Sequence, residues 1–159
     1  MAETRGTTEL RRAGVAHTLM SYTYRHGGGA EQAADDLGVE HARMFKSLVA
    51  RAGDSLVFAL VPATGELSLK KLAAAVGVKH AEMADPRDAE RVTGYQVGGI
   101  SPLGSRRRLP VYLDASGGAF ERICLNAGGR GQIVEVGSSE LARLVDARLA
   151  DLAAAPSRS

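Results

Sequence analysis

Hydrophobic and polar positions alternate in short segments along this chain, and two adjacent segments show the pattern of a β-hairpin. In residues 44–51, successive side chains would point to opposite faces of a strand. Gly53 and Asp54 then supply turn chemistry, and the apolar segment 55–61 follows at once. We therefore predict an antiparallel pair of strands. Further strands are predicted at 19–24, 111–113, 123–126 and 133–136.

Capping residues and glycine stops delimit the predicted helices. Ser68 precedes a helical segment that ends before Gly77, and Asp85 with Pro86 gives a cap followed by a first-turn proline. The sequence predicts helices from a Thr7 or Thr8 cap to Ala13, over 30–37, 69–76 and 86–92, and from a Ser138 cap through Leu141, Leu144, Val145, Leu149 and Leu152. Short hairpins mixed with helices indicate an α+β fold rather than a doubly wound parallel sheet.

Length and composition bound the kind of protein. With 159 residues, 45% hydrophobic and 24% charged, the chain suits a single domain, which we predict over 1–155, with a flexible tail at 156–159. No apolar run approaches the ~18 residues of a membrane span, and the first residues lack the apolar core of a signal peptide, so we expect a cytoplasmic protein. Cys124 is the only cysteine, which excludes an intramolecular disulfide and a thiolate zinc cluster.

Charge is nearly balanced overall but unevenly distributed. The formal net charge of +2 is too small to mark the whole chain as a nucleic-acid binder. Residues 98–131 nevertheless carry more basic than acidic side chains: Arg106, Arg107, Arg108, Arg122 and Arg130 against Asp114 and Glu121. A polyanionic partner would therefore meet the second half of the chain, and a solvated arginine loop is the alternative interpretation.

A loop rich in glycine is the first candidate for chemistry. The stretch from Gly98 to Gly104 contains three glycines and one proline, which excludes regular structure, while Ile100 and Leu103 would anchor it. Such a loop can aim several backbone N–H groups at one point, which suits a carbonyl oxygen that becomes negative during acyl transfer. Its spacing fits neither a phosphate-binding Walker loop nor a dinucleotide-binding motif. A merely structural turn is the alternative.

Lys46 is the second candidate. The chain has 16 arginines and 4 lysines, and among the lysines only Lys46 lies within an apolar strand pattern. A lysine in that position either reaches the edge of the sheet, where it opposes aggregation, or lines a pocket where its ammonium meets an anion. As a compact charge it would suit a phosphate group.

The remaining candidates carry weaker signals. Ser101 lacks the surroundings of a hydrolase nucleophile, although its hydroxyl could orient a substrate. Cys124 stands between isoleucine and leucine, as an inert buried thiol does. Tyr22 and Tyr24 share a strand face, either in the core or as a platform on which a base stacks. Four histidines show no metal-ligand spacing: His17, His26, His41 and His80.

Several blocks together resemble a known family. They are Phe45-Lys46-Ser47-Leu48-Val49, Leu69-Lys70-Lys71-Leu72-Ala73, Met83-Ala84-Asp85-Pro86, Thr93-Gly94-Tyr95 and Gly98-Gly99-Ile100-Ser101-Pro102-Leu103-Gly104. Their order and spacing resemble the YbaK/ProX-type aminoacyl-tRNA editing family, and within it the free-standing YbaK-type Cys-tRNA(Pro) deacylases. The likeness spans roughly residues 15–149.

The resemblance implies a fold, an activity and a site. The fold would be a mixed, partly barrel-like β-sheet surrounded by helices, and the activity a trans-editing hydrolysis of mischarged tRNA(Pro), foremost Cys-tRNA(Pro). The reaction would count as a lyase reaction if the substrate thiol cyclises. Lys46 would hold the terminal phosphate or ribose, and Tyr22, Asn126 and Arg130 would bind substrate. The aminoacyl carbonyl would meet the loop of Gly98, Gly99, Ile100, Ser101 and Pro102.

The resemblance also limits what else is expected. No metal and no cofactor are expected, and the substrate's own thiol or ribose hydroxyl would take part, because the family lacks a protein nucleophile. Prolyl-tRNA synthetase is an expected partner besides the 3′ end of aminoacyl-tRNA(Pro). Where some relatives have a serine and an acidic residue, this chain has Asn126 and Ile133. An Ala-tRNA(Pro) deacylase and a non-catalytic RNA-binding or regulatory module are the alternative functions.

Overall fold

A computed structural model describes residues 3–155 of the chain, so the predicted tail at 156–159 lies outside the described residues. The helices within this range are α1 (Arg5–Arg12), α2 (Gly29–Leu37), α3 (Leu69–Val76), α4 (Pro86–Thr93) and α5 (Ser138–Leu144). Two 3-10 helices cover His41–Arg43 and Ala115–Ala119. The strands are β1 (His17–Ser21), β2 (Phe45–Ala52), β3 (Ser55–Pro62), β4 (Glu66–Leu67), β5 (Ala81–Met83), β6 (Val111–Asp114), β7 (Arg122–Asn126), β8 (Gln132–Gly137), β9 (Arg148–Ala150) and β10 (Ala153–Ala154).

The strands form a five-stranded sheet, a three-stranded sheet and a two-stranded ribbon. The large sheet has the order β5-β2-β3-β6-β9, in which the last two pairings are parallel and the others antiparallel. The second sheet, β1-β8-β7, is antiparallel throughout. A single bridge between Met44 and Cys124 joins the two sheets without closing the described strands into a barrel. The predicted α+β class with a mixed sheet is confirmed.

The predicted hairpin of β2 and β3 is confirmed, and it leaves one edge of β2 partly open. Ala52 pairs with Ser55 across the turn, and Gly53 takes a φ of 60°, a left-handed conformation that favours glycine. β3 accompanies β2 along its whole length. On the other side, β5 pairs only with Ala50, Arg51 and Ala52. The first half of β2, which contains Lys46, therefore has no strand beside it on that side.

Local capping explains why three helices lie where the sequence predicts them. Before α3, the Ser68 hydroxyl accepts a hydrogen bond from the Lys71 N–H at 3.2 Å. Before α4, the Asp85 carboxylate accepts one from the Arg87 N–H at 2.8 Å. Glycines in the left-handed conformation end α2, α3 and α4 at Gly38, Gly77 and Gly94.

The predicted starts of the first helix and first strand are wrong by a few residues. Helix α1 is capped by Thr4, whose side chain accepts a hydrogen bond from the Thr7 N–H, so neither Thr7 nor Thr8 is the cap. Strand β1 ends at Ser21, because its partner β8 begins at Gln132. Tyr22 and Tyr24 therefore lie in the segment that follows β1.

The predicted last helix is wrong in both its cap and its length. Ser138 is the first helical residue rather than the cap, and its hydroxyl donates a hydrogen bond to the Phe120 carbonyl. The helix ends at Leu144, and Asp146 takes a φ of 54°, which breaks the helical path. Leu149 then belongs to β9 and Leu152 is fully buried, because this segment pairs with the sheets.

Most of the core lies between the two larger sheets. Phe45, Phe58, Leu103 and Leu125 are among its fully buried side chains. A smaller cluster under α2 holds Met44, Cys124 and Ile133, among others, at the place where the two sheets meet. No helix among the described residues is long and apolar enough to cross a membrane.

Candidate active site

A cavity of about 670 Å³ opens beside the first half of β2. Its walls come from β2, from the segment after β1, from α2, from the start of α4 and from the loop at Gly98. Apolar side chains form most of the wall, including Ala33, Met44, Phe45 and Ile133. Cavities of this volume and character accommodate small ligands or the end of a larger one.

Lys46 is the permanently charged side chain that lines this cavity. It is half-buried, and its ammonium makes no hydrogen bond or ion pair with the described residues. An unpaired ammonium in a largely apolar cavity is positioned to meet an anionic or strongly polar group of a ligand. The structure thus places Lys46 in a pocket, although β2 also has an open edge here.

The first part of the glycine-rich loop reaches the cavity. Gly98 and Ile100 line it, and their N–H groups donate to no acceptor among the described residues. Gly98 has a φ of 96°, and a β-carbon there would lie 2.5 Å from the Tyr24 hydroxyl oxygen. Only glycine suits this position. Two unused donors close in sequence are what a developing oxyanion requires.

Gly99 lies behind the cavity wall and not on it. It is buried, its N–H donates to the Gln96 carbonyl and its carbonyl accepts from the Gly129 N–H, each at 2.8 Å. These bonds tie the loop to the turn between β7 and β8. Gly99 therefore acts on the loop's shape, and its predicted part in catalysis stays a prediction.

Ser101 and Pro102 are buried on the core side of the loop. Ser101 has no exposed surface, and its hydroxyl accepts a hydrogen bond from the Leu103 N–H at 3.1 Å. The Leu103 carbonyl in turn accepts one from the Tyr95 hydroxyl at 2.7 Å. The second half of the loop thus anchors the first half, and the structure does not bring Ser101 or Pro102 to the cavity wall.

Asn126 lines the cavity and connects two loops. Its Oδ1 accepts a hydrogen bond from the Gly128 N–H at 2.7 Å, and its Nδ2 donates to the Gly98 carbonyl at 3.4 Å. The amide therefore holds Gly98 against the turn after β7. Its predicted contact with substrate stays a prediction.

Two tyrosines and an arginine form one side of the cavity mouth. Tyr22 and Tyr24 both line the cavity, and burial, followed by the neighbouring Tyr24 and Asp36, raises the pKa of Tyr22. The Arg130 guanidinium lies 4.8 Å from the centre of the Tyr24 ring, and its Nε donates to the Val97 carbonyl at 3.0 Å. Arg130 is not part of the cavity wall but covers Tyr24 from outside.

Cys124 and the histidines do not form a nucleophile or a metal centre. Cys124 is fully buried, and burial together with the nearby Glu135 charge raises the pKa of its thiol to about 11. His26 lines the cavity, which the sequence did not predict. Within residues 3–155, no group of three or more His, Cys, Asp or Glu side chains could hold a metal ion.

Ser47 is the cavity residue that sequence reasoning missed as a functional candidate. Its side-chain oxygen is shielded from solvent and has no hydrogen-bond partner among the described residues. No local pattern marks such a group, because the missing partner becomes visible only once all neighbouring elements are in place.

A family model for the aminoacyl-tRNA editing domain matches residues 25–144. The chain belongs to the aminoacyl-tRNA editing domain family. The matched range contains Lys46, the glycine-rich loop and Asn126, so the resemblance inferred from the sequence blocks is confirmed.

Named relatives and a solved structure agree with this membership. EbsC of Enterococcus faecalis, provisionally named a Cys-tRNA(Pro)/Cys-tRNA(Cys) deacylase, is 38% identical over 77% of this chain and 76% of its own length. A segment of the proline–tRNA ligase of Thermosipho melanesiensis is 38% identical over 46% of this chain and 13% of the ligase. The crystal structure of a protein provisionally described as a trans-editing enzyme for prolyl-tRNA synthetase superposes with a TM-score of 0.82 at 27% identity, over 94% of this chain and 95% of that one.

Proposed function

We propose that this editing-domain protein deacylates mischarged tRNA(Pro), with Cys-tRNA(Pro) as its foremost substrate. The observation that carries the proposal is that one cavity joins the unpaired Lys46 ammonium to the unused N–H groups of Gly98 and Ile100. The ester to be cleaved has the matching parts, a polyanionic nucleotide end and a carbonyl oxygen. The provisional name of the Enterococcus faecalis relative supports the same substrate.

Lys46 would hold the nucleotide end of the substrate. Its ammonium has no internal partner, so a phosphate or ribose oxygen of the terminal adenosine gains a charge-assisted hydrogen bond without breaking an existing ion pair. The cavity wall contributes no Asp or Glu side chain that would repel a phosphate. Binding of the nucleotide end then brings the ester carbonyl to the loop.

Gly98 and Ile100 would stabilise the charge that develops on the carbonyl oxygen. Loss of one preorganised donor of this kind typically lowers the rate by about 10²–10³-fold. The buried second half of the loop, together with the hydrogen bond from Asn126, fixes these donors before the substrate arrives. Positioning and electrostatic stabilisation can therefore account for catalysis without an acid–base pair.

The attacking group would come from the substrate, because the buried protein nucleophiles are unsuitable. Cys124 is a neutral buried thiol at neutral pH, and the Ser101 hydroxyl is buried and already bonded. The cysteine sulfur of the substrate attacks its own ester carbonyl, the C–O bond to the ribose breaks, and the thiol proton passes to the leaving ribose oxygen. The resulting cyclic thioester is then hydrolysed by water to free cysteine.

The apolar wall would select the amino acid. Ile133 pairs with Asn126 across β7 and β8, and Asn126 contacts Gly98, so the apolar surface begins beside the proposed carbonyl site. Met44 and Ala33 continue it. A small, weakly polar side chain such as that of cysteine or alanine fits such a surface better than a charged one.

The experiment that tests this function is a deacylation assay with tRNA(Pro) charged with cysteine, alanine or proline. We expect hydrolysis of Cys-tRNA(Pro) to be fastest and Pro-tRNA(Pro) to remain intact. Faster cleavage of Ala-tRNA(Pro) would identify an alanine editor instead. Binding of all three without cleavage would identify a non-catalytic RNA-binding module.

Prolyl-tRNA synthetase is the proposed macromolecular partner. Segments of several bacterial proline–tRNA ligases are similar to this chain, which supports a common substrate for the free-standing and the synthetase-linked forms. Sedimentation of the protein with prolyl-tRNA synthetase, with and without tRNA(Pro), tests the association. Independent sedimentation under both conditions would contradict it.

A further inference from the structure

Ser47 lies beside Lys46 on β2 and has a buried hydroxyl that lacks a partner among the described residues. The residue as a whole is only half-buried and forms part of the cavity wall. Buried hydroxyls are nearly always hydrogen-bonded, since an unpaired one has lost its bond to water without replacement. An unpaired hydroxyl in the wall of a ligand cavity indicates that the ligand supplies the missing bond.

The backbone around Ser47 shows that this part of β2 is open toward the cavity side. The Val49 carbonyl accepts a hydrogen bond from the Ala84 N–H at 3.1 Å, so it faces away from β3. Backbone groups two residues apart on an antiparallel strand face the same side, so the Ser47 carbonyl also faces away from β3. Strand β5 reaches only as far as Ala50. Ser47 therefore offers two oxygen acceptors, a carbonyl and a hydroxyl, at an open strand edge.

The aminoacyl ester brings a group that needs such acceptors. Its α-amino group must keep hydrogen bonds when it leaves water for an apolar cavity. Among the described residues, no Asp or Glu lines the cavity, and the Asn126 Oδ1 already accepts from the Gly128 N–H. The Ser47 hydroxyl is an unoccupied acceptor beside the ester site.

We propose that Ser47 is a positioning residue whose hydroxyl accepts a hydrogen bond from the α-amino group of the aminoacyl ester. This assignment rests on the proposed deacylase function. Rotation about χ1 moves a serine hydroxyl between staggered positions, so the hydroxyl turns from its unpaired position to meet the bound amino group. The bond fixes the ester relative to the N–H groups of Gly98 and Ile100.

The decisive experiment crosses two enzymes with two substrates. Wild-type and Ser47→Ala proteins are assayed with Cys-tRNA(Pro) and with tRNA(Pro) carrying a 3-mercaptopropionyl group, which keeps the thiol and lacks the α-amino group. We expect Ser47→Ala to lower kcat/KM about tenfold on Cys-tRNA(Pro), the loss typical of one hydrogen bond, and to change it little on the second substrate. Ser47→Thr, which keeps the hydroxyl, should restore most of the activity.

Thermal stability separates a substrate contact from a structural role. Because the Ser47 hydroxyl has no bond to lose, Ser47→Ala should leave Tm unchanged or raise it. Ser138→Ala is the matched control, since that buried hydroxyl is bonded to the Phe120 carbonyl and lies outside the cavity. The control should lower Tm and leave kcat/KM unchanged.

The outcomes distinguish this inference from the proposed function. If wild-type protein cleaves neither ester, the deacylase function itself is wrong. If wild-type protein cleaves Cys-tRNA(Pro) and Ser47→Ala does so equally well, only the role of Ser47 is overturned. Equal losses on both substrates would exclude the α-amino group as the partner, and a fall in Tm like that of Ser138→Ala would assign Ser47 a structural role.

Discussion

The carbonyl of Gly99 accepts a hydrogen bond from the Gly129 N–H at 2.8 Å, which locks the glycine-rich loop to the turn between β7 and β8. The two backbones are so close that a β-carbon at Gly99 would lie 2.5 Å from the Arg130 nitrogen. Backbone atoms cannot rotate away as a flexible side chain can. The shape of the loop at the cavity therefore depends on the absence of a side chain one residue behind it.

Gly99→Val should displace the loop and abolish most of the activity. Because the displacement moves the Gly98 and Ile100 N–H groups, we expect kcat/KM to fall by about 100-fold or more, with a lower Tm. Gly38→Ala is the control, since Gly38 has a φ of 68° and a β-carbon added there would meet no atom within 4 Å. It should cost about 1 kcal/mol of stability and no activity. Wild-type turnover by Gly99→Val would contradict the packing described here.

Lys46→Ala should remove activity while leaving the fold intact. The ammonium has no partner inside the protein, so its loss breaks no internal bond, whereas the bound nucleotide end loses its cation. We expect kcat/KM to fall by about 100-fold or more, the loss of a charge-assisted contact, with Tm within a few degrees of wild type.

Two variants make the Lys46 result specific. Lys46→Arg should also fail if the site fits a compact head group, because guanidinium is larger and planar. Lys79→Ala removes an exposed lysine that does not line the cavity, and it should behave as wild type. Near wild-type turnover by Lys46→Ala would exclude Lys46 from the mechanism.

Local signals predicted some elements well and failed where distant pairing decides the structure. Helix α3 matches its prediction because its Ser68 cap and its left-handed Gly77 are both local to the sequence. The last helix was predicted too long because Leu149 and Leu152 continue the helical spacing of α5. Their segment instead pairs with β6 and β4, and a local periodicity does not contain that information.

The candidate site shows the same division. Lys46 and Gly98 were predicted from local chemistry and resemblance, and both line the cavity. Ser101 belongs to the same motif, yet it points to the core, because Ile100 and Leu103 bury the second half of the loop. The unpaired hydroxyl of Ser47 depends on which neighbours are absent, so no sequence pattern could have indicated it.

Asp114 should make stability depend on pH in the acidic range. Its carboxylate accepts hydrogen bonds from the N–H groups of Leu152 and Ala153, each at 2.9 Å, and from the Ser116 hydroxyl. Burial opposes its ionisation, but these hydrogen bonds outweigh burial and hold the pKa of Asp114 below its usual value. Because the folded pKa lies below the unfolded one, the stabilisation is present above the unfolded value of about 3.9 and is lost as pH falls through the folded pKa.

The test is urea unfolding of Asp114→Asn between pH 7 and pH 3. At pH 7 we expect a loss of about 2–4 kcal/mol, since an amide presents a donor to N–H groups that need an acceptor. The difference from wild type should narrow toward pH 3. Asp54→Asn, in the exposed turn between β2 and β3, is the control and should change little. A difference that stays constant with pH would show that the charge of Asp114 is not what stabilises the fold.

Arg106 and Arg107 should contribute to tRNA affinity without taking part in the chemistry. Their N–H groups donate to the carbonyls of Thr93 and Val92 at the end of α4, and the start of that helix lines the cavity. Both side chains are exposed and pair with no acidic group among the described residues. Replacing both by Gln should raise KM and reduce the slope of log K against log[salt] by about 1 per contact, at unchanged kcat. Arg148→Gln, on β9, is the control, and an unchanged salt slope in the double variant would exclude this surface from tRNA binding.

Cys124 should prove dispensable, and the thiol of the substrate essential. Full burial and a thiol pKa of about 11 keep Cys124 neutral at pH 7 to 8, where a nucleophile would have to be a thiolate. We therefore expect Cys124→Ala to retain most of the deacylation of Cys-tRNA(Pro), and iodoacetamide to leave the folded enzyme active. Charging tRNA(Pro) with serine should slow the reaction far more than either treatment, because the attacking sulfur is then missing. A folded but inactive Cys124→Ala would point to a protein thiol, whereas equal rates for the serine and cysteine esters would point to water as the attacking group.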